Sequence, residues 1–289
     1  MGIPVVAWSQ ARGNSADSLR DRIVERIAAT PEAIVGVSYV DLETGEKFSL
    51  AADTVFHAAS TMKIPVMIEV LRRAQEGAFS LDQGVLLINQ FRSLADGSPF
   101  SLDAKDDGDS SLYLRVGQRV PIREMLRLMI VRSSNLATNQ LIELVGAAHV
   151  TAGAHLLGAT RTQVLRGVED QKAFDAGLIN TITAGDLSTL LVAIEKGSIL
   201  SAESSALMRD ILLAQEFNEK IPAGLPPGTK VAHKTGEITA VSHDAAIVYP
   251  AGRKPYVLVV LTRGIRDGKA AATLIADVSR IVYQHATAR

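Results

Sequence analysis

The sequence predicts an α/β molecule of the α+β type: an antiparallel sheet of about five strands, flanked by terminal helices, with an all-helical domain inserted into it. Three observations predict this. Strand-like runs cluster towards both ends of the chain, and short turns join neighbours, which means antiparallel pairing. The stretch between them carries apolar residues at helical spacing. An amphipathic helix precedes the first strands and another follows the last, so helices can cover one sheet face while the helical block closes the other.

In order, Ser15 is placed to cap a helix whose apolar positions are Leu19, Ile23, Val24 and Ile27, and Pro31 ends it. The runs Ile34 to Asp41 and Glu46 to Leu50 flank Glu43-Thr44-Gly45 and read as a hairpin. Met62, Val66, Met67, Val70 and Leu71 then mark a helical stripe. Ile122 to Ile130 and Leu136 to Val145 mark two more. Thr183, with Asp186 three residues later, caps a helix carrying Leu187, Leu190, Leu191 and Ile194, and Ser201 begins another. After the turn-rich Gly224 to Gly228, strand character returns at Lys230 to His233, Ala245 to Tyr249 and Tyr256 to Thr262. A last helix carries Leu274, Val278, Ile281 and Val282 on one face. The expected division is a sheet domain of residues 14–58 and 222–289, a helical domain of 59–221, and a site at their interface. Residues 1–13 are expected to be a tail or the remnant of an export signal, because Ile3 to Trp8 is mostly apolar and a small residue, Ala11, follows.

The chain has 289 residues and a formal net charge of −1, which argues against a nucleic-acid or anionic-membrane binder held by bulk charge. Apolar residues make up 47% and charged residues 21%, so the chain can build a core without staples. It contains no cysteine, which excludes disulfides, Cys-ligated metal and thiol nucleophiles. No apolar run is long enough to span a bilayer.

Several signatures fail. There is no G-x-S-x-G elbow, H-E-x-x-H helix or G-x-G-x-x-G turn. Gly264 to Lys269 has the wrong spacing for a phosphate loop, and Ala270 stands where Ser or Thr is needed. Asp103 to Gly108 is acidic, but Lys105 and Leu114 occupy positions that a calcium loop gives to ligands; a solvated loop is expected there.

Three short motifs remain. Ser60 and Lys63 lie about a turn apart at a helix start, and Pro65 confines that start to the preceding few residues. A serine there has free backbone N–H groups beside it, and a buried lysine loses its proton easily enough to act as base. Taken singly, the pair could be a cap and an exposed lysine. Ser133-Ser134-Asn135 could be a cap cluster for the helix at Leu136, and Lys234-Thr235-Gly236 a strand edge with a glycine bulge. All three, in this order, are far less expected by chance.

With S-x-x-K, S-x-N and K-T-G in order, the sequence resembles the penicillin-recognising serine hydrolases, class A β-lactamases above all. The likeness extends to Ser60 to Val66 (STMKIPV) and Val231 to Gly236 (VAHKTG). It implies that Ser60 is the acylated nucleophile, Lys63 its proton acceptor, and Ser133 the donor to the departing nitrogen, with Lys234 beside it. Asn135 would hold the substrate's side-chain amide, and Lys234 and Thr235 its carboxylate. Gly236 would admit the ligand to the strand backbone, and the N–H groups of Ser60 and Glu237 would form the oxyanion hole. The resemblance implies no metal and no cofactor. The expected partner is a small β-lactam or a cell-wall peptide-like substrate; a monomer in the periplasm or outside the cell is expected, without nucleic acid or transmembrane segment.

The sequence departs from the family pattern in three places. Ser134 replaces the usual Asp, from which a less rigid loop with an intact proton relay is expected. The glutamate that activates water best matches Glu169, but it lies one residue farther from Arg166 than the family spacing, in a loop that reads as shorter; Asp170 is the alternative. His243 stands where many members carry an arginine for the substrate carboxylate, which raises the prospect of pH-dependent binding. The leading expectation is β-lactam hydrolysis through a serine acyl-enzyme. The alternatives are a D-Ala-D-Ala peptidase or esterase of the same fold with slow deacylation, and a non-catalytic β-lactam sensor.

Overall fold

A computed structural model describes residues 14–288, and the side chains from Leu19 to Ala288. The expected leader-like segment 1–11, the tail 1–13 and the capping side chain of Ser15 lie outside the described residues.

The backbone begins with helix α1 (Asn14–Ala28), followed by strands β1 (Ile34–Asp41) and β2 (Lys47–Leu50). The helices α2 (Lys63–Gln75), α3 (Ile122–Val131), α4 (Asn135–Val145), α5 (Ala147–Leu156), α6 (Gln171–Asp175), α7 (Ala184–Lys196) and α8 (Ala202–Leu213) come next. The chain returns to the sheet with β3 (Lys230–Ile238), β4 (Val241–Tyr249) and β5 (Tyr256–Arg263), and closes with α9 (Gly268–Thr287). The five strands are antiparallel and lie in the order β2-β1-β5-β4-β3. The first hairpin and the last strand therefore meet in the middle of the sheet, with Val37 opposite Val260.

Alternation sends the two faces of this sheet into two cores. Val37, Tyr39, Ala246, Leu258 and Val260 pack with Leu19 and Ile23 of α1 and with Leu274, Val278 and Val282 of α9. Ala245, Ile247, Val257, Val259 and Leu261 pack instead with α7 and the other helices of the block. At the centre of that block, α2 buries an unbroken run from Lys63 to Leu71, so it is covered on all sides.

The expected caps are found where the sequence placed them. Thr183 accepts from the Asp186 backbone N–H at 3.0 Å, and Ser201 from that of Ser204 at 3.1 Å. Two strands run longer than their apolar runs indicated. β3 continues through Lys234, Thr235 and Gly236 to Ile238, and β4 begins at Val241. The third motif thus lies inside an edge strand and not at its end.

Candidate active site

Ser60 sits in a single 3-10 turn, Ala59–Met62, that leads into α2. Ala59 just before it has φ +44°, a left-handed conformation that a side chain adopts at a cost of roughly 1–3 kcal/mol. Pro65 falls in the first turn of α2, where its missing N–H costs nothing. β3 runs directly against this start. A Cβ on Gly236 would lie 3.1 Å from the Ser60 nitrogen and 3.1 Å from the Thr61 nitrogen. Glycine here therefore lets the strand approach the nucleophile's own backbone.

Ser133 is the last residue before the cap of α4, and it too is left-handed, with φ +58°. Ser134 makes the cap: it is fully buried and its hydroxyl accepts from the Ala137 backbone N–H at 3.3 Å. The cap reading and the site reading of the second motif thus both hold, on adjacent residues. Ser133 Oγ accepts from Lys63 Nζ at 3.2 Å and from Lys234 Nζ at 3.1 Å. Lys63 also donates to Ser133 O at 2.7 Å and Asn135 Oδ1 at 2.9 Å, and Lys234 to Thr235 O at 2.8 Å. Both lysines are completely buried. Burial pulls the Lys63 ammonium down to about 7, against the opposing pull of Asp107 and Glu169. Lys234 is lowered well below its ordinary value, first by burial and then by the charges of Lys63 and Lys220.

Glu169 faces the same place. Its carboxylate accepts from Asn135 Nδ2 at 3.3 Å, and burial, reinforced by Asp106, raises its pKa. Its φ is +60°, the third left-handed residue of the cleft. The loop holding it is pinned by Asn139 of α4, which donates to Val168 O at 3.0 Å and accepts from the Val168 N–H at 2.7 Å. Gly167 permits this: any Cβ there would meet Asn139 Oδ1 at 2.4 Å. Asn180 braces the loop's other side, accepting from the Leu165 and Arg166 N–H groups and donating to Arg166 O.

These residues share one cavity of about 630 Å³, lined by Ser60, Ser133, Asn135, Glu169, Thr235, Gly236 and Glu237 among others. The two lysines lie under its floor and reach it through Ser133. Among the described residues, no group of three or more His, Asp or Glu is placed to hold a metal ion.

Three sequence expectations are corrected. Asp170 is no alternative base, because Ser93 Oγ and the Leu94 N–H hold its carboxylate at 2.7 and 2.8 Å, and it caps α6. His243 does not face a ligand. It is fully buried, packs edge-on to Phe56, and its Nε2 lies 2.9 Å from His57 O while the Thr262 N–H donates to Nδ1. Burial lowers it to about 4, so it stays neutral in ordinary conditions and its imidazole gives no pH-dependent carboxylate binding. The acidic stretch is a loop in which Asp103 and Asp106 are exposed as expected, but the half-buried Asp107 is bonded to the N-terminus of α4. The substitution at Ser134 therefore leaves that loop braced by another carboxylate.

Sequence reasoning missed Lys220. It is buried, lines the cavity beside Thr235, and reaches Glu237 Oε2 at 3.4 Å and His243 O at 3.5 Å. It supplies a cation on the side of the cleft where His243 does not. Phe174 and Phe217 were also missed; both line the cavity, and Phe174 packs edge-on to His57. Nothing local marked them: Phe174 lies in the short helix α6 against the distant His57, and Phe217 in the segment after α8.

Residues 18–286 match the beta-lactamase enzyme family. The carbapenem-hydrolyzing beta-lactamase KPC of Klebsiella oxytoca is 28% identical over 288 residues, covering 96% of this chain and 94% of that protein. A beta-lactamase of Streptomyces albus G is 26% identical, covering 96% and 88%. Among solved structures, PBP-A superposes with TM-score 0.79 at 29% identity, covering 92% of this chain and 95% of its own. A beta-lactamase from Sphaerobacter thermophilus has TM-score 0.79 at 26% identity, covering 93% and 97%.

Proposed function

The chain belongs to the beta-lactamase enzyme family, and from that premise we propose that it is a serine β-lactamase of the class A kind, working through an acyl-enzyme on Ser60. The observation that carries the residue assignments is the pair of buried lysines sharing Ser133 Oγ.

In acylation, Ser60 Oγ loses its proton to neutral Lys63 and attacks the lactam carbonyl carbon. A lysine lowered to about 7 is neutral in half the molecules near that pH. The negative charge on the carbonyl oxygen falls to the backbone N–H groups of Ser60 and Glu237, where one donor is worth ~3 kcal/mol. The C–N bond then breaks. The departing nitrogen takes the proton of Ser133, which Lys63 replaces. Lys234, Thr235 and Lys220 hold the substrate carboxylate, and Asn135 its side-chain amide.

In deacylation, Glu169 takes a proton from water, the hydroxide attacks the ester carbonyl, and the C–O bond to Ser60 breaks as Glu169 returns that proton to Ser60 Oγ. Glu169 in the cleft favours turnover over the slow-deacylating peptidase or esterase reading and over the sensor reading. The proposal places this activity in the periplasm or outside the cell, where hydrolysis destroys the drug before it meets the cell-wall machinery.

The test is turnover of a chromogenic cephalosporin. The protein should hydrolyse it catalytically and Ser60→Ala should not; a Ser60→Ala variant with parental turnover would refute the assignment.

A further inference from the structure

The acidic loop before α3 makes a contact that its composition does not announce. Asp107 accepts from the Asn135 backbone N–H through Oδ1 and Oδ2, each at 2.9 Å, and from the Leu136 N–H at 2.9 Å. The Tyr113 hydroxyl donates to the same carboxylate at 2.8 Å, and the Asp109 N–H at 3.0 Å. Asn135 and Leu136 are the first residues of α4, whose free N–H groups and positive dipole end favour an anion. Ser134 already caps that helix locally, so Asp107 is a second cap delivered from a separate loop. Gly108 fits this loop against the chain: a Cβ there would lie 2.0 Å from Arg132 O.

We propose that Asp107 is a positioning residue of the cleft, capping α4 from outside the helix and thereby holding Ser133 and Asn135 in place against Lys63. The residues it fixes are those that matter most. Asn135 binds Lys63 and Glu169 through its two side-chain atoms. Ser133 is held in a left-handed conformation immediately before the cap, where it has little intrinsic reason to stay. A carboxylate fixed on the next helical amides removes the easiest escape, a rotation of the turn as a whole. The negative charge also faces Lys63, whose charged neighbours are Asp107 and Glu169 from two loops and Lys234 from β3. The role rests on the catalytic reading of Ser133 and Lys63 given above.

Two variants test it, with one readout that needs no activity. Amide hydrogen exchange at Asn135 and Leu136 should quicken about tenfold in Asp107→Ala. In Asp107→Asn, which keeps an acceptor but loses the charge, the acid limb of acylation by a fluorescent penicillin should move to lower pH, because the anion favours protonated Lys63. Acylation itself should slow on the order of tenfold to a hundredfold in Asp107→Ala, as expected for misplaced groups. Should Asp107→Ala fail to fold, Asp107→Asn carries both measurements. An active parent protein with unchanged amide exchange and an unmoved acid limb in Asp107→Asn overturns the role of Asp107 alone. A parent protein that no penicillin acylates overturns the catalytic reading instead, and this is known before any variant is made.

Discussion

Lys63 and Lys234 donate to one atom, their Nζ groups lying 3.2 and 3.1 Å from Ser133 Oγ. A hydroxyl oxygen has two lone pairs and one proton. With both lone pairs occupied by ammonium groups, the proton has to point elsewhere, and the open direction is the cavity. When Lys63 is neutral, two of its hydrogens still satisfy Ser133 O and Asn135 Oδ1, and its lone pair is free for Ser60 or Ser133. One arrangement thus serves both proton transfers. Burial is what makes both lysines lose protons more easily than in water, and at Lys234 the charges of Lys63 and Lys220 add to it.

Replacing Ser133 by Ala removes this shared acceptor. The acylation rate should fall by about 10²–10⁴, the range for loss of a positioned proton donor. Stopped-flow kinetics with a chromogenic cephalosporin measures it, and circular dichroism should show an intact fold.

Glu169 predicts the pH dependence of the second step. Its carboxyl must be ionised to accept a proton from water, and burial with Asp106 nearby raises its pKa. Deacylation should therefore fail on acidification at a higher pH than an ordinary carboxylate would cause. Asp106→Asn removes the repelling charge, so the midpoint of that loss should shift to lower pH. Single-turnover release of hydrolysed product across pH shows whether it does.

Lys220 predicts a binding effect. Lys220→Ala should raise KM on the order of tenfold with kcat little changed, as for a charged contact made equally in ground and transition states. His243, neutral and bound to backbone, should give no inflection in KM between pH 5 and 8; a KM that tracks imidazole ionisation there would restore it to the carboxylate site.

Asn180→Ala tests the loop carrying Glu169. The side chain makes three backbone hydrogen bonds in a buried position, and leaving those groups unpaired costs about 1–3 kcal/mol. Deacylation should slow more than acylation, because Ser133 and both lysines stand outside this loop. Rates from burst and steady-state phases separate the two.

What could be read from the sequence was local. The caps at Thr183 and Ser201 and the strand-like runs of β1 and β5 are written in neighbouring residues, and the structure forms both caps and buries both runs almost throughout. Ser60, Lys63, Ser133, Asn135 and Lys234 were legible because short motifs fix their mutual spacing on a helix start, a cap and a strand. α5 was missed because its residues are largely Ala, His and Gly, and only Val150 and Ala154 are buried. Lys220 and Asp107 were missed for a different reason. Each is set by long-range bonds, the Ile221 N–H to Asp244 in the first case and the Asn135 and Leu136 amides to Asp107 in the second, and no periodicity encodes such bonds. His243 shows the reverse error. Its place along the strand was right, but its ring is spent on the His57 carbonyl and the Thr262 amide.

Intact-mass analysis of Glu169→Gln after mixing with a penicillin tests the central claim most directly. The account predicts a persistent adduct of one β-lactam per chain, mapped to the peptide bearing Ser60 and abolished by adding Ser60→Ala. An adduct on another residue, or one that survives loss of the Ser60 hydroxyl, would contradict it.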